Sequence, residues 1–395
     1  MALQAAMQQA QYAGTSPTAS VAAGRAVARL LAGAWRQAPP PVDLELRRLV
    51  ELAPLLVQGG AAGLAWWKLR HAGLGGAPEA EAVRQAARQA ALEAALHQQS
   101  IRMLVGCLRA ARIEPLLVKG WSTARLYPTP GLRPYVDIDL VVPPGQGARA
   151  AALLRDVGPA NCPDPPDVLD GATWAAEWAG ADARGDLADH PWAAVLERSR
   201  LVRLGDLPTR VLGPEDQLRL AAVHAMRHRF RRPVWLCDIG LLMETVPAAF
   251  DWPYCLAGRA QQTEWLLRSL GLAQYLLGAE LHNGPLEVAT VPGWLSGSVL
   301  RRWGTPLVIG PGPSILQALR QPRRLPEELY RRWPDPLEAT LRRGLPLAGR
   351  SRLAAQAAEF VWQFGVLASR RWLRQSLRAA RWPGWWRATQ EVDAG

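Results

Sequence analysis

PLLVKGWSTARLYPTPGLRPYVDIDLVVPP, residues 115–144, is the stretch that decides the fold. It carries two carboxylates, Asp137 and Asp139, inside the otherwise apolar run VDIDLVV. In a β-strand, residues i and i+2 project to the same face, so both carboxylates are predicted to point one way and Ile138 and Leu140 the other. Two like charges side by side repel each other, and a divalent cation removes that conflict. Mg²⁺ prefers carboxylate oxygens together with substrate phosphates, so the pair predicts a metal site that handles polyphosphate.

The elements around this pair predict a small mixed α/β core. Residues 116–118 indicate a short buried strand, WSTARLYP indicates a short helix stopped by Pro128, and VDIDLVV indicates a second strand ended by prolines. GARAAALLRDVG, residues 147–158, is typical of a helix closed by glycine. Residues 159–190 give no clear pattern, and from Trp192 onward the chain is predicted to be helical.

Helical patterns dominate on both sides of this core. Residues 1–24 are rich in Ala, Gln, Gly and Ser and are predicted to fray, whereas a long helix is predicted from about residue 78 to 111. The apolar period of that helix is carried by Leu92, Leu96, Met103, Leu104 and Leu108.

The fold class expected from this order is α+β, a small mixed-sheet core flanked by N-terminal helices and a C-terminal helical bundle. The predicted parts are a helical region over 1–112, the α/β core over 113–212, a helical domain over 213–283 and an irregular Pro/Arg-rich segment with a final helix over 284–395.

Composition narrows the class of partner. The net charge is +12, from 46 Lys and Arg against 34 Asp and Glu, and lysine occurs only at Lys68 and Lys119. This balance favours anionic partners, although an Arg-rich and Ala-rich composition inherited from a GC-rich genome explains it equally well. The four cysteines are far apart and form no CxxC pair, which is typical of reduced thiols in a cytoplasmic protein. Neither a secretory signal nor an apolar window of about 18 residues is found, so no membrane span is expected.

A glycine corner precedes the two carboxylates. The first strand ends at Lys119-Gly120, and the next helix begins with a hydroxyl, Ser122. Glycine permits close approach of a backbone, and N–H groups at a helix start bind phosphate. A phosphate cradle and a carboxylate pair are therefore predicted within one short unit.

These residues resemble the uncharacterised nucleotidyltransferase family of the DNA polymerase β-like superfamily. The resemblance is carried by Val118-Lys119-Gly120, Leu126-Tyr127-Pro128, Arg133-Pro134 and Asp137-Ile138-Asp139-Leu140. A second and weaker block matches His224 late in one helix and Leu236-Cys237-Asp238-Ile239 at the start of the next.

The resemblance implies a nucleotidyltransferase that uses Mg²⁺ and a nucleoside triphosphate. Asp137 and Asp139 would hold the metal, Gly120 and Ser122 would cradle the phosphates, and Lys119 and Arg133 would neutralise phosphate charge. The superfamily's third carboxylate is predicted at Asp186, with Asp189 as the alternative.

Each of these assignments has a structural alternative. Lys119 would otherwise pair with one of the two aspartates, and Arg133 would otherwise order its loop through a salt bridge. Asp238 is predicted either to face the active site or to be a buried partner of a neighbouring arginine or of His224. His224 and His228 lie one helical turn apart, but with no third ligand they are predicted to be hydrogen-bonded histidines rather than a zinc site. The basic, Trp-rich end over 380–390 suggests weak contact with RNA or a membrane surface, the alternative being a solvated helix end.

Several functions fit this pattern. The leading one is transfer of a nucleoside monophosphate to a small molecule, a protein or a nucleic acid. The alternative is a catalytically degenerate protein that binds a nucleotide or RNA in a regulatory role. A metal-dependent glycosyltransferase also uses a D-x-D pair, but its nucleotide-binding α/β unit usually comes first, whereas here the first 110 residues are predicted to be helical.

Overall fold

The computed structural model describes residues 17–155, 167–170, 190–282, 284, 290–306, 333–348 and 352–363. Contacts along the backbone divide the chain into two units, residues 1–310 with 346–348, and residues 311–345 with 349–395. Nearly all the described elements belong to the first unit.

The helices that precede the sheet are α1 (Pro17–Leu31), α2 (Leu49–Gln58), α3 (Ala62–His71) and α4 (Glu81–Ala110). The prediction of a long helix near 78–111 is confirmed, but the prediction that residues 1–24 fray is wrong for 17–24, which lie in α1. The apolar face predicted for α4 is half wrong. Leu104 and Leu108 are buried, whereas Leu92, Leu96 and Met103 are 64%, 46% and 39% exposed. The first half of α4 buries alanines instead, because small side chains let neighbouring backbone come close.

The core that follows contains β1 (Leu116–Leu117), α5 (Trp121–Ala124), β2 (Asp139–Val142), α6 (Gly147–Arg155), β3 (Asp167–Asp170), α7 (Trp192–Arg198), β4 (Arg200–Leu204) and β5 (Leu207–Val211). The five strands form one mixed sheet in the order β3-β2-β1-β5-β4. β2 is parallel to β3 and antiparallel to β1, and β5 is parallel to β1 and antiparallel to β4. The α+β class and the small mixed sheet are therefore confirmed.

The expectation that the chain is helical throughout from Trp192 is wrong over residues 200–211, which form a β-hairpin. The turn is Gly205-Asp206, where Gly205 has φ 63°. Positive φ at a two-residue turn suits the twist of a hairpin, so this glycine-aspartate turn was the missed signal.

Two hydrophobic clusters sandwich the sheet. One includes Ile101, Leu104 and Leu108 of α4 together with Leu117, Ile138, Leu140 and Val142. The other includes Leu116, Val118 and Val141 together with Val195, Leu212 and Leu220. Successive strand residues alternate between the clusters, as side chains with a period of two must.

After the sheet come α8 (Pro214–Arg227), α9 (Pro233–Glu244), α10 (Trp252–Leu256), α11 (Ala260–Leu277) and α12 (Gly293–Trp303). Helices α8, α9 and α11 pack on one another, and α12 packs on α1. Proline at the first position of α8 and of α9 sets each helix start, as the sequence predicts for α8.

The described part of the second unit is small. It contains α13 (Pro336–Arg342), whose start is capped by Asp335 through the N–H groups of Leu337 and Glu338, and helical residues 353–363. Arg342 joins the two segments through an ion pair of 2.9 Å with Glu359. The basic segment 380–390 lies outside the described residues.

Candidate active site

The two aspartates lie at the start of β2. Asp139 is its first residue, and Asp137 lies two residues before it outside the strand, so the predicted strand over 136–142 is shorter than expected. Asp137 is exposed, and Asp139 is 8% exposed. Ile138 and Leu140 belong to the cluster under α4, which leaves Asp139 and Val141 on the other face. The predicted alternation around Asp139 is thus present.

The glycine corner lies directly against this segment. The Val118 N–H donates to the Asp139 carbonyl at 3.2 Å, which holds the end of β1 beside the start of β2. Gly120 has φ 58° and ψ −109°, a conformation that favours glycine. A Cβ there would lie 3.0 Å from the Asp137 carbonyl and 3.2 Å from Cδ2 of Tyr135. A side chain at this corner would therefore crowd the backbone of Asp137.

The two hydroxyls that follow the corner lie in different surroundings. Ser122 is completely buried, whereas Thr123 lines the adjacent cleft. Gln217 of α8 donates from Nε2 to the Ser122 carbonyl at 3.0 Å and to Oγ1 of Thr123 at 3.1 Å. Trp121, between the corner and Ser122, packs its ring into the core.

Arg133 and Asp238 form a buried ion pair. The Arg133 guanidinium donates from Nη2 to Oδ2 of Asp238 at 3.0 Å and from Nε to both carboxylate oxygens at 3.2 and 3.3 Å. The Tyr127 hydroxyl donates to Oδ1 of the same carboxylate at 2.8 Å. Residues of both family motifs thus meet, and the structural alternative for Asp238, a buried partner for an arginine, is present.

Burial and charge set the ionisation of this network. Burial, and next the neighbouring Asp238 charge, hold the pKa of Tyr127 well above its usual value, so its hydroxyl stays a donor. Burial alone would lower the pKa of Arg133, but the Asp238 carboxylate outweighs it and raises that pKa. The network therefore fixes the loop that leads into β2 against α9.

A cleft opens between the corner and the helices. Its walls are residues of β1 and the corner on one side and of α8 and α9 on the other, with lining side chains from Val118, Lys119, Thr123, Arg133, Gln217, Leu220, Ala221, His224, Trp235 and Asp238. Lys119, Gly120, Arg133, His224 and Asp238, all predicted site residues, are brought together here.

His224 lies in an aromatic cluster with His228 and Trp235. Its ring lies 4.4 Å from that of His228 and 5.1 Å from that of Trp235, between centroids. No group of three or more His, Cys, Asp or Glu side chains suited to a metal is found among the described residues. Trp235 also lines the cleft, and the sequence analysis did not select it. It directly precedes Leu236-Cys237-Asp238-Ile239, and this neighbouring position could have pointed to it.

The predicted third carboxylates, Asp186 and Asp189, lie outside the described residues. The backbone register supplies another candidate position, because Asp167 of β3 pairs with Asp139 of β2 in parallel orientation. Sequence reasoning missed it because DVLD is a short strand that follows a proline-rich segment.

Among the described helices, none has both the length and the apolar character needed to cross a bilayer. Searches of curated proteins and of solved structures each returned no significant match. A family model does match, over residues 48–278, and its description is an uncharacterised nucleotidyltransferase. That range is more than half of the chain and contains the corner, both aspartates and the whole cleft. The chain belongs to the uncharacterised nucleotidyltransferase family.

Proposed function

We propose that this protein is a Mg²⁺-dependent nucleotidyltransferase that moves a nucleoside monophosphate from a nucleoside triphosphate to an acceptor hydroxyl. The observation that carries the proposal is the close approach of the Gly120 corner, which lines the cleft with Lys119, to the backbone of Asp137. It joins a polyphosphate-binding corner to a carboxylate pair in a chain of this family.

The donor set fits Mg²⁺. Asp137 and Asp139 offer hard carboxylate oxygens, and Asp137 is exposed to a ligand. When bound, the metal would polarise the α-phosphate and neutralise charge on the leaving pyrophosphate. Asp137 and Asp139 would hold it, with a third carboxylate proposed from Asp186, Asp189 or Asp167.

The cleft residues position the polyphosphate. Lys119 supplies a positive charge beside the corner, and Gly120 lets the backbone come close. Thr123 offers a hydroxyl where Ser122 was predicted. Arg133 also lines the cleft, but its guanidinium is paired with the Asp238 carboxylate, so we propose that it orders the loop before β2 rather than adding net charge.

Labelled triphosphates test this proposal. Each of the four triphosphates, labelled at the α-phosphate, is incubated with the protein, Mg²⁺ and a cell extract, beside the Asp139→Asn variant. We expect a labelled product with the natural protein, and loss of at least about 90% of it with the variant. The same triphosphate labelled at the γ-phosphate should give no labelled product beyond that formed by the extract without the protein.

Transfer of the γ-label would show a phosphotransferase instead. Binding of a triphosphate without any labelled product would favour the regulatory nucleotide-binding alternative.

A further inference from the structure

A run of basic residues joins α8 to α9. Residues 227–232 read Arg-His-Arg-Phe-Arg-Arg, and we call them the basic turn. They connect two helices that line the cleft, so their side chains lie where a ligand larger than a nucleotide could contact them.

The basic turn is rigid. The Phe230 N–H donates to the Ala225 carbonyl at 2.7 Å and the Arg229 N–H to the Met226 carbonyl at 2.8 Å, which is a Schellman motif. Phe230 is fully buried, and its carbonyl accepts from Nε1 of Trp303 at 2.8 Å. The turn therefore presents its outer side chains from a fixed backbone.

Those outer side chains are cationic. Arg231 and Arg232 are exposed, and within the described ranges no ion pair joins either to an acidic side chain. The Arg232 guanidinium carbon lies 5.8 Å from the centroid of the Trp235 ring. Trp235 is half-buried, with His228 5.4 Å and His224 5.1 Å away between ring centroids.

This surface is continuous with the cleft. Trp235 and His224 line the cleft that also contains Lys119. Asp238, the acidic residue of that lining, is neutralised by Arg133. The cleft lining and the adjoining basic turn thus combine aromatic rings with positive charge.

Aromatic rings beside arginines bind unstacked bases and the phosphates between them. We propose that the basic turn, with Trp235 and His224, binds the end of a single-stranded polynucleotide. This inference rests on the proposed function in one respect, since it makes that end the acceptor. The terminal hydroxyl oxygen of the strand would form a bond to the α-phosphorus of the triphosphate. The bond from that phosphorus to the oxygen bridging the α- and β-phosphates would break, and pyrophosphate would leave with its electron pair. The hydroxyl proton would pass to water.

Binding of labelled oligonucleotides tests the proposal apart from catalysis. Fluorescein-labelled single strands of RNA and of DNA, each about 20 nucleotides, are titrated with the full chain in EDTA without triphosphate. We expect binding of at least one strand that weakens steeply with salt. The double variant Arg231→Ala with Arg232→Ala should weaken it about tenfold and reduce the salt slope by about 1.4, the sum for two single-strand phosphate contacts.

Two controls make the result specific. Arg70→Ala with Arg88→Ala removes the same charge from exposed positions on α3 and α4, and should leave binding within about twofold. Trp235→Leu should weaken binding about tenfold, and Trp235→Phe should restore most of it because the ring is kept.

Three results would overturn the proposal: no binding of either strand at low salt, an equal loss in the Arg70 and Arg88 control, or displacement by polyglutamate as effective as by unlabelled strand. Because the measurement needs neither metal nor triphosphate, a protein that binds the strand but transfers nothing refutes the proposed function and not this surface.

Discussion

Lys68 of α3 is a buried lysine whose ammonium group binds carbonyls at the C-terminal end of α1. It is 2% exposed, and its ammonium donates to the Ala32 carbonyl at 2.8 Å and to the Arg29 carbonyl at 3.3 Å. These carbonyls lie at the negative end of α1, where a positive charge is favourable. Burial nevertheless dominates and lowers the pKa of Lys68 from 10.5 to about 8.

This lowered pKa predicts a rise in stability at alkaline pH. Between pH about 8 and 10.5 the unfolded chain holds a proton on Lys68 that the folded chain lacks, so the free energy of unfolding gains up to about 3 kcal/mol as pH increases. Below that window the full cost of burying the charge remains. Denaturant unfolding of the natural protein and Lys68→Met, compared from about pH 7 to 10.5, should give a difference that grows with pH. A difference that stays constant would contradict the lowered pKa.

The residues of the site show how far sequence reasoning reaches. The pair Asp137 and Asp139, Lys119 and Gly120 were predictable, because local spacing and strand ends place them. The position of Thr123 at the cleft was not predictable, because it depends on how the residues after Gly120 pack in the folded protein. The contact of Arg133 with Asp238 joins positions 105 residues apart, so spacing alone left both alternatives open.

At the scale of elements, two helices end alike. Helix α4 ends with the Ile113 N–H bonded to the Leu108 carbonyl at 2.9 Å and the Arg112 N–H to the Arg109 carbonyl at 2.8 Å. Arg112 has φ 60° and Arg229, at the end of α8, has φ 58°. Glycine is usual at this position of a Schellman motif, because other residues pay a steric cost there.

Arg112→Gly is therefore expected to stabilise the protein. Relief of the left-handed strain exceeds the added chain entropy of glycine, and we expect a gain of about 0.5–1 kcal/mol in the free energy of unfolding. Arg112→Ala is the matched control, because it removes the same side chain but keeps a Cβ and should give no gain. Urea unfolding of both variants measures this, and an equal gain in both would refute the strain argument.

The elements also show how far hydrophobic periodicity alone predicts secondary structure. Long helices and the strands around the carboxylates were predictable because their periods are sustained. The prediction that Leu92 and Leu96 of α4 face the core was wrong, because the buried face of that half of the helix is formed by alanines. The hairpin β4–β5 was missed because its outer strand is exposed and lacks a strong apolar alternation.

At the scale of the whole molecule, α1 and α12 cross at very close range. A Cβ on Gly24 would lie 1.8 Å from the Leu300 carbonyl oxygen, and one on Gly304 1.8 Å from the Ser20 carbonyl oxygen. Both helices lie outside residues 48–278, the range that the family model matches. This crossing joins chain segments on either side of the family region, and the sequence alone gave no sign of it.

Gly24→Ala should be strongly destabilising, because its methyl group meets backbone that cannot move aside. We expect a loss of about 3 kcal/mol in the free energy of unfolding. Gly297→Ala, on α12 with nothing within 4 Å of the added carbon, should instead gain about 0.5–1 kcal/mol through helix propensity. Thermal unfolding of the two variants measures the contrast, and similar effects would show that the crossing is looser than described.

Calorimetry of nucleotide binding measures whether Asp137 and Asp139 hold Mg²⁺ against a triphosphate, as we propose. Non-hydrolysable analogues of the four triphosphates are titrated into the natural protein and Asp137→Asn, with Mg²⁺ or with EDTA. Because Asp137 is exposed, the variant should unfold in EDTA at the same temperature as the natural protein or slightly higher, since one of two like charges is gone. We expect Mg²⁺ to tighten binding of at least one analogue by about tenfold or more in the natural protein and not in the variant. Equal tightening by Mg²⁺ in both proteins would contradict this expectation.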